Sequence, residues 1–285
     1  MSRQHSTPPT SARPAAPEPL PIAVVDNHAH IDMGRRGEPA PDVAALLSEA
    51  RAVGVDRVVH IGCSPDEAEA AVLLADEHPA LLAGVALHPN ETPALAAAGE
   101  LDAAIDRIGE LAAHPRVRTV GESGLDYYRT GPEGRDAQHH SFRRHIALAK
   151  QLDLPLQIHD REAHDDVLRI LEQEGAPRET VFHCFSGGPA MARECVAKGY
   201  YLSFSGTVTF KNARDLRDAL SVTPLEQLLV ETDAPYLAPM PHRGAGNAPY
   251  LMPHTVRAMA DVLNISVPQL AEAVSANAER LYGPW

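Results

Sequence analysis

Short apolar and β-branched runs alternate along the chain with longer segments whose apolar residues recur every three or four positions. The runs fall at 22–27, 56–62, 81–87, 117–121, 155–159, 180–184, 200–204 and 227–231, and the pattern predicts a strand at each. Between them, Val43, Ala44, Leu46, Leu47 and Ala50, and again Phe142, Ile146, Ala149 and Leu152, mark one face of a helix. Ser64-Pro65-Asp66-Glu67 reads as a helix start, because the serine hydroxyl can accept from first-turn amides and proline is tolerated at the first helical position. Eight strand and helix units in about 260 residues predict an α/β chain folded as a single-domain (β/α)8 TIM barrel. A doubly wound open sheet has the same alternation and stays open at this point. Residues 267–280 read as one more helix that closes the bottom or side of the barrel.

The first 21 residues break the pattern, holding six of the 25 prolines with scattered Ser, Thr and Ala and no apolar stretch of signal-peptide type. We read 1–21 as a disordered Pro-rich tail and 22–285 as the barrel domain. No apolar run approaches the roughly 20 residues of a membrane span, so no membrane partner is expected. The three cysteines, Cys63, Cys184 and Cys195, show no C-x-x-C spacing and read as small buried side chains of a reduced, cytoplasmic protein. With 25 Lys+Arg against 38 Asp+Glu, the formal charge of -13 argues against a broad basic groove for nucleic acid. The 15 histidines stand out, because imidazole is the commonest metal ligand.

The expected strands place these histidines. His28 and His30 close the first strand, Glu122 the fourth, His159 the fifth and His183 the sixth, while Asp233 follows the eighth. In a barrel the carboxyl ends of the strands converge on one face, where active sites are built. Strand alternation puts His28 and His30 on the same side. A lone strand-end histidine is most simply a hydrogen-bonded structural residue. Packing does not explain so many ionisable groups gathered at strand ends, since buried charges are costly unless paired or bound to metal. Four imidazoles and two carboxylates suffice for two divalent cations sharing a bridge. Cysteine is absent from this set, which favours Mg, Mn or Zn in an open site over a tight thiolate zinc site.

Asp26-Asn27-His28-Ala29-His30-Ile31-Asp32, Gly84-Val85-Ala86-Leu87-His88-Pro89, Gly121-Glu122-Ser123-Gly124-Leu125-Asp126-Tyr127-Tyr128, Gln157-Ile158-His159-Asp160-Arg161, Phe182-His183-Cys184-Phe185-Ser186-Gly187-Gly188 and Glu231-Thr232-Asp233-Ala234-Pro235-Tyr236-Leu237 follow one another in order. Together they resemble the successive signatures of the TatD family of metal-dependent deoxyribonucleases, over nearly all of residues 24–283. The resemblance implies a two-metal barrel in which His28, His30 and Asp233 hold one cation, His159 and His183 hold the other, and Glu122 bridges them. It also implies Asp233 and Glu122 as the catalytic pair, with Asp233 relaying a proton from the attacking water. The sequence departs from the commonest family wording at Asn27, Ala29, Ser123 and Asp160, and none of these changes removes a ligand.

Substrate contacts are expected from His88 and Arg161, which would meet phosphate, and from Asp126 and Tyr127, which would orient a ligand or stack a base. Lys211 and Arg243 are weaker loop candidates. His5, His60, His78, His114, His139, His140, His145, His164 and His254 read as surface or core residues, and His242 stays open. The expected activity is hydrolysis of DNA phosphodiesters, from a 3′ end, with no obligate protein partner. An amidohydrolase or esterase, including one acting on aminoacyl-tRNA, has the same constellation, because activated water attacks carbonyl and phosphoryl centres alike. A metal-binding barrel kept for protein contacts has no physical need of a full ligand set. Given the net charge, attraction must be local to one barrel mouth, which suits a chain end or a short single strand.

Overall fold

The computed structural model describes residues 13–34 and 39–285. Its strands are β1 (Val24–Ala29), β2 (Val55–Gly62), β3 (Leu81–Val85), β4 (Val117–Asp126), β5 (Leu156–Arg161), β6 (Thr180–Phe182), β7 (Tyr201–Phe204) and β8 (Leu228–Val230). Between and after them come α1 (Val43–Ala52), α2 (Pro65–Glu77), α3 (Thr92–Ala98), α4 (Leu101–Ala112), α5 (Arg135–Leu152), α6 (His164–Glu174), α7 (Pro189–Ala197), α8 (Arg214–Ser221), α9 (Met252–Leu263) and α10 (Val267–Tyr282). All neighbouring strands are parallel and stand in sequence order, β1 through β8. A doubly wound sheet would reverse direction partway, so the barrel is the architecture.

Beyond the short β8, the ring closes through specific bonds. Asp233 N donates to His28 O at 3.0 Å, and His30 N donates to Ala234 O at 2.7 Å. Asn27 Nδ2 donates to Val230 O at 2.7 Å, while the amide and hydroxyl of Thr232 both donate to the Asp26 carboxylate, at 2.9 and 2.5 Å. Closure of the barrel and placement of the first histidine pair are therefore one event.

Two apolar layers flank the strands. Outside, Phe142 and Ile146 of α5 and Val167 and Ile170 of α6 bury against the sheet with Leu156, Ile158, Phe182 and Leu202. Inside, Val25, Val59, Ile61, Leu82, Val181 and Leu229 meet Ala278, Leu281 and Tyr282 of α10. That helix covers the amino-terminal end of the barrel, where Asn277 Nδ2 donates to Leu228 O at 2.7 Å. The expected helix at 267–280 is thus a plug as well as a cover.

Strand boundaries differ from expectation where glycine lets the chain approach its neighbour. β4 runs to Asp126, five residues past its expected end, because it stays paired with β5 from Gly124 opposite His159 to Asp126 opposite Arg161. Gly124 has φ 149°, and a Cβ there would lie 2.0 Å from the His159 carbonyl oxygen, so no other residue fits. Glu122 and His159 consequently sit within their strands rather than at the last residue, and His183 lies just after β6. In β1 the register against β2 slips between Asp26 and Ala29. This bulge turns both Asn27 and His28 toward the barrel interior.

The expected tail also differs. Residues 1–12 of that tail, His5 among them, lie outside the described residues, but residues 13–21 are seated on the barrel. Leu20 is buried and its amide donates to Val53 O at 2.9 Å, while Tyr250 Oη donates to Pro14 O and Arg257 donates to Glu18 O. Proline excludes this stretch from strand or helix, yet its carbonyls remain good acceptors. Among the described residues no helix is long and apolar enough to cross a membrane.

One buried histidine gives the fold a defined acid limit. His145 of α5 donates from Nδ1 to Ser141 O at 2.8 Å and accepts the Leu87 amide at Nε2, at 3.1 Å, an arrangement only the neutral ring can make. Burial pushes its pKa down to about 4. Between about 4 and the ordinary 6.5 the unfolded chain binds a proton that the folded chain refuses, so stability falls as pH falls through that window. We expect denaturant titrations to show about 3 kcal/mol of acid sensitivity from this residue. His145→Gln should lose that increment, and equal pH slopes for the two proteins would contradict the assignment.

Candidate metal centre

At the carboxyl end of the barrel a cavity of about 680 Å³ is lined by His30, Cys63, His88, Glu122, His159, His183 and Asp233, with Arg129, Arg161 and Tyr236 among the other wall residues. Glu122 stands at its base, with its side chain 5% exposed. Its two oxygens face different partners. Oε1 lies 3.6 Å from His28 Nε2, 3.4 Å from His30 Nε2 and 3.5 Å from Cys63 Sγ. Oε2 lies 2.8 Å from His183 Nε2, 2.9 Å from His159 Nδ1 and 3.9 Å from His88 Nε2. Asp233 Oδ1 joins the first side, 3.7 Å from His30 Nε2. The carboxylate is therefore the divider between two donor sets.

The orientation of each ring comes from a group behind it. His28 Nδ1 donates to Gln157 Oε1 at 2.6 Å, His30 Nδ1 to Ile61 O at 3.0 Å, and His183 Nδ1 to Glu231 Oε1 at 3.1 Å. With Nδ1 occupied, each ring turns Nε2 toward Glu122. The Gln157 amide is itself oriented, since its Nε2 donates to Asn27 O and to Tyr282 Oη at 2.9 and 2.8 Å. Tyr282 Oη donates to Asn27 Oδ1, Asn27 Nδ2 to Ser203 Oγ, and Ser203 Oγ to Glu231 Oε2. One buried polar chain thus runs from His28 through Gln157, Tyr282, Asn27, Ser203 and Glu231 to His183, beneath both donor sets.

Electrostatics follow from this crowding. Burial alone would raise the Glu122 carboxyl, but His183 and His88 with the hydrogen bonds from His159 and His183 hold it well below the usual carboxylate range. Burial would lower His183, and the facing carboxylates Glu122 and Glu231 lift it well above its ordinary value. His30, against burial, is raised to about 9 by Glu122 and Asp233. His88 goes the other way, to about 3, because it is buried beside other imidazoles. Asp233 is raised by burial.

The donor set fits divalent cations on two counts. The buried Nε2 atoms of His28 and His159 have no hydrogen-bond partner among the described residues, although His159 Nε2 comes within 3.4 Å of Asp126. Nitrogen and oxygen donors also close into compact groups: His28, His30 and Asp233; His28, Glu122 and His183; His88, Glu122 and His159, each with ligand atoms mutually within 4.8 Å. A buried imidazole nitrogen left without a partner is costly unless something binds it.

All six expected ligands meet here, as do His88, Asp126 and Arg161. Asp126 is fastened by Asn90 Nδ2 at 3.0 Å and the Arg129 amide at 2.9 Å. Arg161 lies on the Tyr128 ring, 3.9 Å from its centroid. Tyr127 does not reach the cavity: strand alternation turns it outward from Asp126, and its hydroxyl donates to Asp166 at 2.6 Å beneath Arg135. Lys211 and Arg243 are exposed and absent from the cavity wall, Arg243 lying against Phe210. Cys63 is buried in the inner apolar cluster as expected of a small packed side chain, and its sulfur in addition faces Glu122. It directly follows β2, so the strand-end argument that selected the histidines would have selected it too. Gln157 and Glu231 stand two residues before His159 and Asp233 within the motifs, whereas Ser203 and Tyr282 carry no spacing signal and are joined to the network only by the fold.

A family described as TatD related DNase matches residues 25–283. The Mycobacterium tuberculosis protein named uncharacterized metal-dependent hydrolase TatD is 46% identical over 265 residues, covering 91% of this chain and 98% of its own length. A Cronobacter turicensis protein named 3'-5' ssDNA/RNA exonuclease TatD is 34% identical, covering 83% of this chain and 90% of its own. The crystal structure of a TatD homologue from Escherichia coli K12 superposes with a TM-score of 0.81 at 27% identity, over 91% of this chain and 97% of that one.

The network makes a direct prediction. Glu231 receives three donors, from His183, the Cys184 amide and Ser203. Glutamine keeps the volume but turns an NH₂ toward one of them. We expect Glu231→Gln to weaken divalent-cation binding about 10- to 100-fold in calorimetric titration with an unchanged circular dichroism spectrum. Unaltered affinity would show that His183 needs no such support.

Proposed function

The chain belongs to the TatD family of metal-dependent hydrolases, and from that membership and the geometry of its site we propose that it cleaves DNA phosphodiesters from a 3′ end. The reading is supported chiefly by the Glu122 carboxylate, which presents one donor set on each oxygen. In this proposal His28, His30 and Asp233 hold one divalent cation, His159 and His183 a second, and Glu122 stands between them. Such cations, magnesium, manganese or zinc, supply Lewis acidity that polarises a phosphoryl oxygen and acidifies water.

The chain's own groups then divide the work. Asp233, raised by burial, takes the proton from the attacking water at its carboxylate. Asp233 is held for this by its amide bond to His28 O, with its backbone in the left-handed region at φ 54°. Arg161, backed by the Tyr128 ring, offers its fork to a phosphate at the mouth, and His88 contributes a neutral ring beside Glu122. The cavity wall carries six carboxylates, of Glu67, Glu91, Glu122, Asp126, Asp160 and Asp233, against the guanidinium groups of Arg129 and Arg161. An anionic substrate is repelled from such a wall until cations neutralise it. The footprint is correspondingly small, suited to a chain end or short single strand. The relative from Cronobacter turicensis, named for single-stranded DNA and RNA, supports the same substrate class.

The test uses 3′-labelled single-stranded DNA with added magnesium or manganese, beside an aminoacyl-tRNA substrate and a His159→Ala control. We expect label release from DNA that falls at least about 100-fold in the control. Ester hydrolysis of aminoacyl-tRNA without DNA cleavage would replace the reading with an amidohydrolase one.

A further inference from the structure

Three donors converge on a single oxygen of Glu122, and one of them is a thiol. Cys63 Sγ lies 3.5 Å from Oε1, the same oxygen that His30 Nε2 approaches at 3.4 Å and His28 Nε2 at 3.6 Å. The ligand-capable atoms of His30, Cys63 and Glu122 all lie within 4.8 Å of one another. Independently, the His28 side chain is fully buried and its Nε2, aimed at the same oxygen, has no hydrogen-bond partner among the described residues.

The thiol is held in place by its backbone. The Cys63 amide donates to Glu67 Oε2 at 3.1 Å, and its carbonyl accepts the His88 amide at 2.9 Å. Ser64 meanwhile caps α2 by accepting the Glu67 amide. Cys63 is 9% exposed and forms part of the cavity wall, so a cation entering the cavity meets its sulfur. The other two thiols are placed differently. Cys184 also lines the cavity, but its Sγ engages Ser205 Oγ at 3.3 Å, and Cys195 lies in the outer core.

We propose that Cys63 is a thiolate ligand of the cation position on the Oε1 side, which therefore takes a borderline or soft divalent cation such as zinc, cobalt or cadmium in preference to magnesium. The inference rests on the reading of that side as a metal position. On coordination the S–H bond breaks, the proton leaves to solvent, and a sulfur lone pair forms the bond to the cation, with no change of oxidation state. Hard cations gain little from sulfur, whereas softer ones gain much.

The test titrates the chelator-treated protein with cadmium and cobalt(II), reading thiolate-to-metal charge-transfer absorption in the ultraviolet and counting bound cation by equilibrium dialysis. The expected result is a band in wild type and in Cys184→Ser that is lost in Cys63→Ser and in Cys63→Ala. Both Cys63 variants still bind cation, with cadmium affinity down about tenfold or more and magnesium affinity changed less than about threefold. A band that persists in both Cys63 variants overturns the proposal, as does cadmium bound to wild type without a band; either leaves the metal centre standing. Failure of wild type to bind any cation overturns both together.

Discussion

Taking an ionised carboxylate out of water costs several kcal/mol unless donors surround it, and the upper half of this barrel is organised around that cost at Glu122. Four imidazoles, from β1, the residue after it, β5 and the segment after β6, turn toward its two oxygens within 2.8 to 3.6 Å. Protons shared among these rings and divalent cations are alternative ways of balancing the same charge, and the fold is built so that either can do it. Because the carboxylate has two oxygens with separate neighbours, one buried residue faces two donor sets.

Such a centre needs rings that do not turn, and the barrel interior supplies the restraint. The polar chain from Gln157 through Tyr282, Asn27 and Ser203 to Glu231 lies among apolar inward residues, where an unmade hydrogen bond is expensive. Tyr282 enters from α10 at the opposite end of the barrel, so the last helix both plugs the core and positions His28. Closure between β8 and β1 adds a second restraint, since the bonds that seal the ring are made by the backbone of His28, His30 and Asp233. Fold stability and site geometry consequently depend on overlapping contacts.

Much of this is legible in the amino-acid sequence. Short apolar and β-branched runs alternating with period-3.6 helices point to the barrel, and the ionisable residues at strand ends point to the centre. Most of what escaped had no local signal. The bulge that brings His28 inward depends on pairing with β2, and the length of β4 on how closely Gly124 lets it approach β5. Gln157 and Tyr282, far apart in sequence, meet only because the barrel is closed. Tyr127 shows the reverse error: it shares a motif with Asp126, but strand alternation turns it outward. Cys63 was hidden by its own chemistry, since a buried cysteine is ordinarily packing and only its facing partner shows otherwise.

The formal charge of -13 takes on a local meaning here. An acidic cavity by itself repels a polyanion, and in the proposed function the same carboxylates would gather the cations that offset that repulsion. Anomalous diffraction from manganese-soaked crystals tests this account most directly. The account predicts two peaks flanking Glu122, one against Oε1 with His28 and His30 and one against Oε2 with His159 and His183. A single peak, or peaks that leave Glu122 uncoordinated, would contradict it.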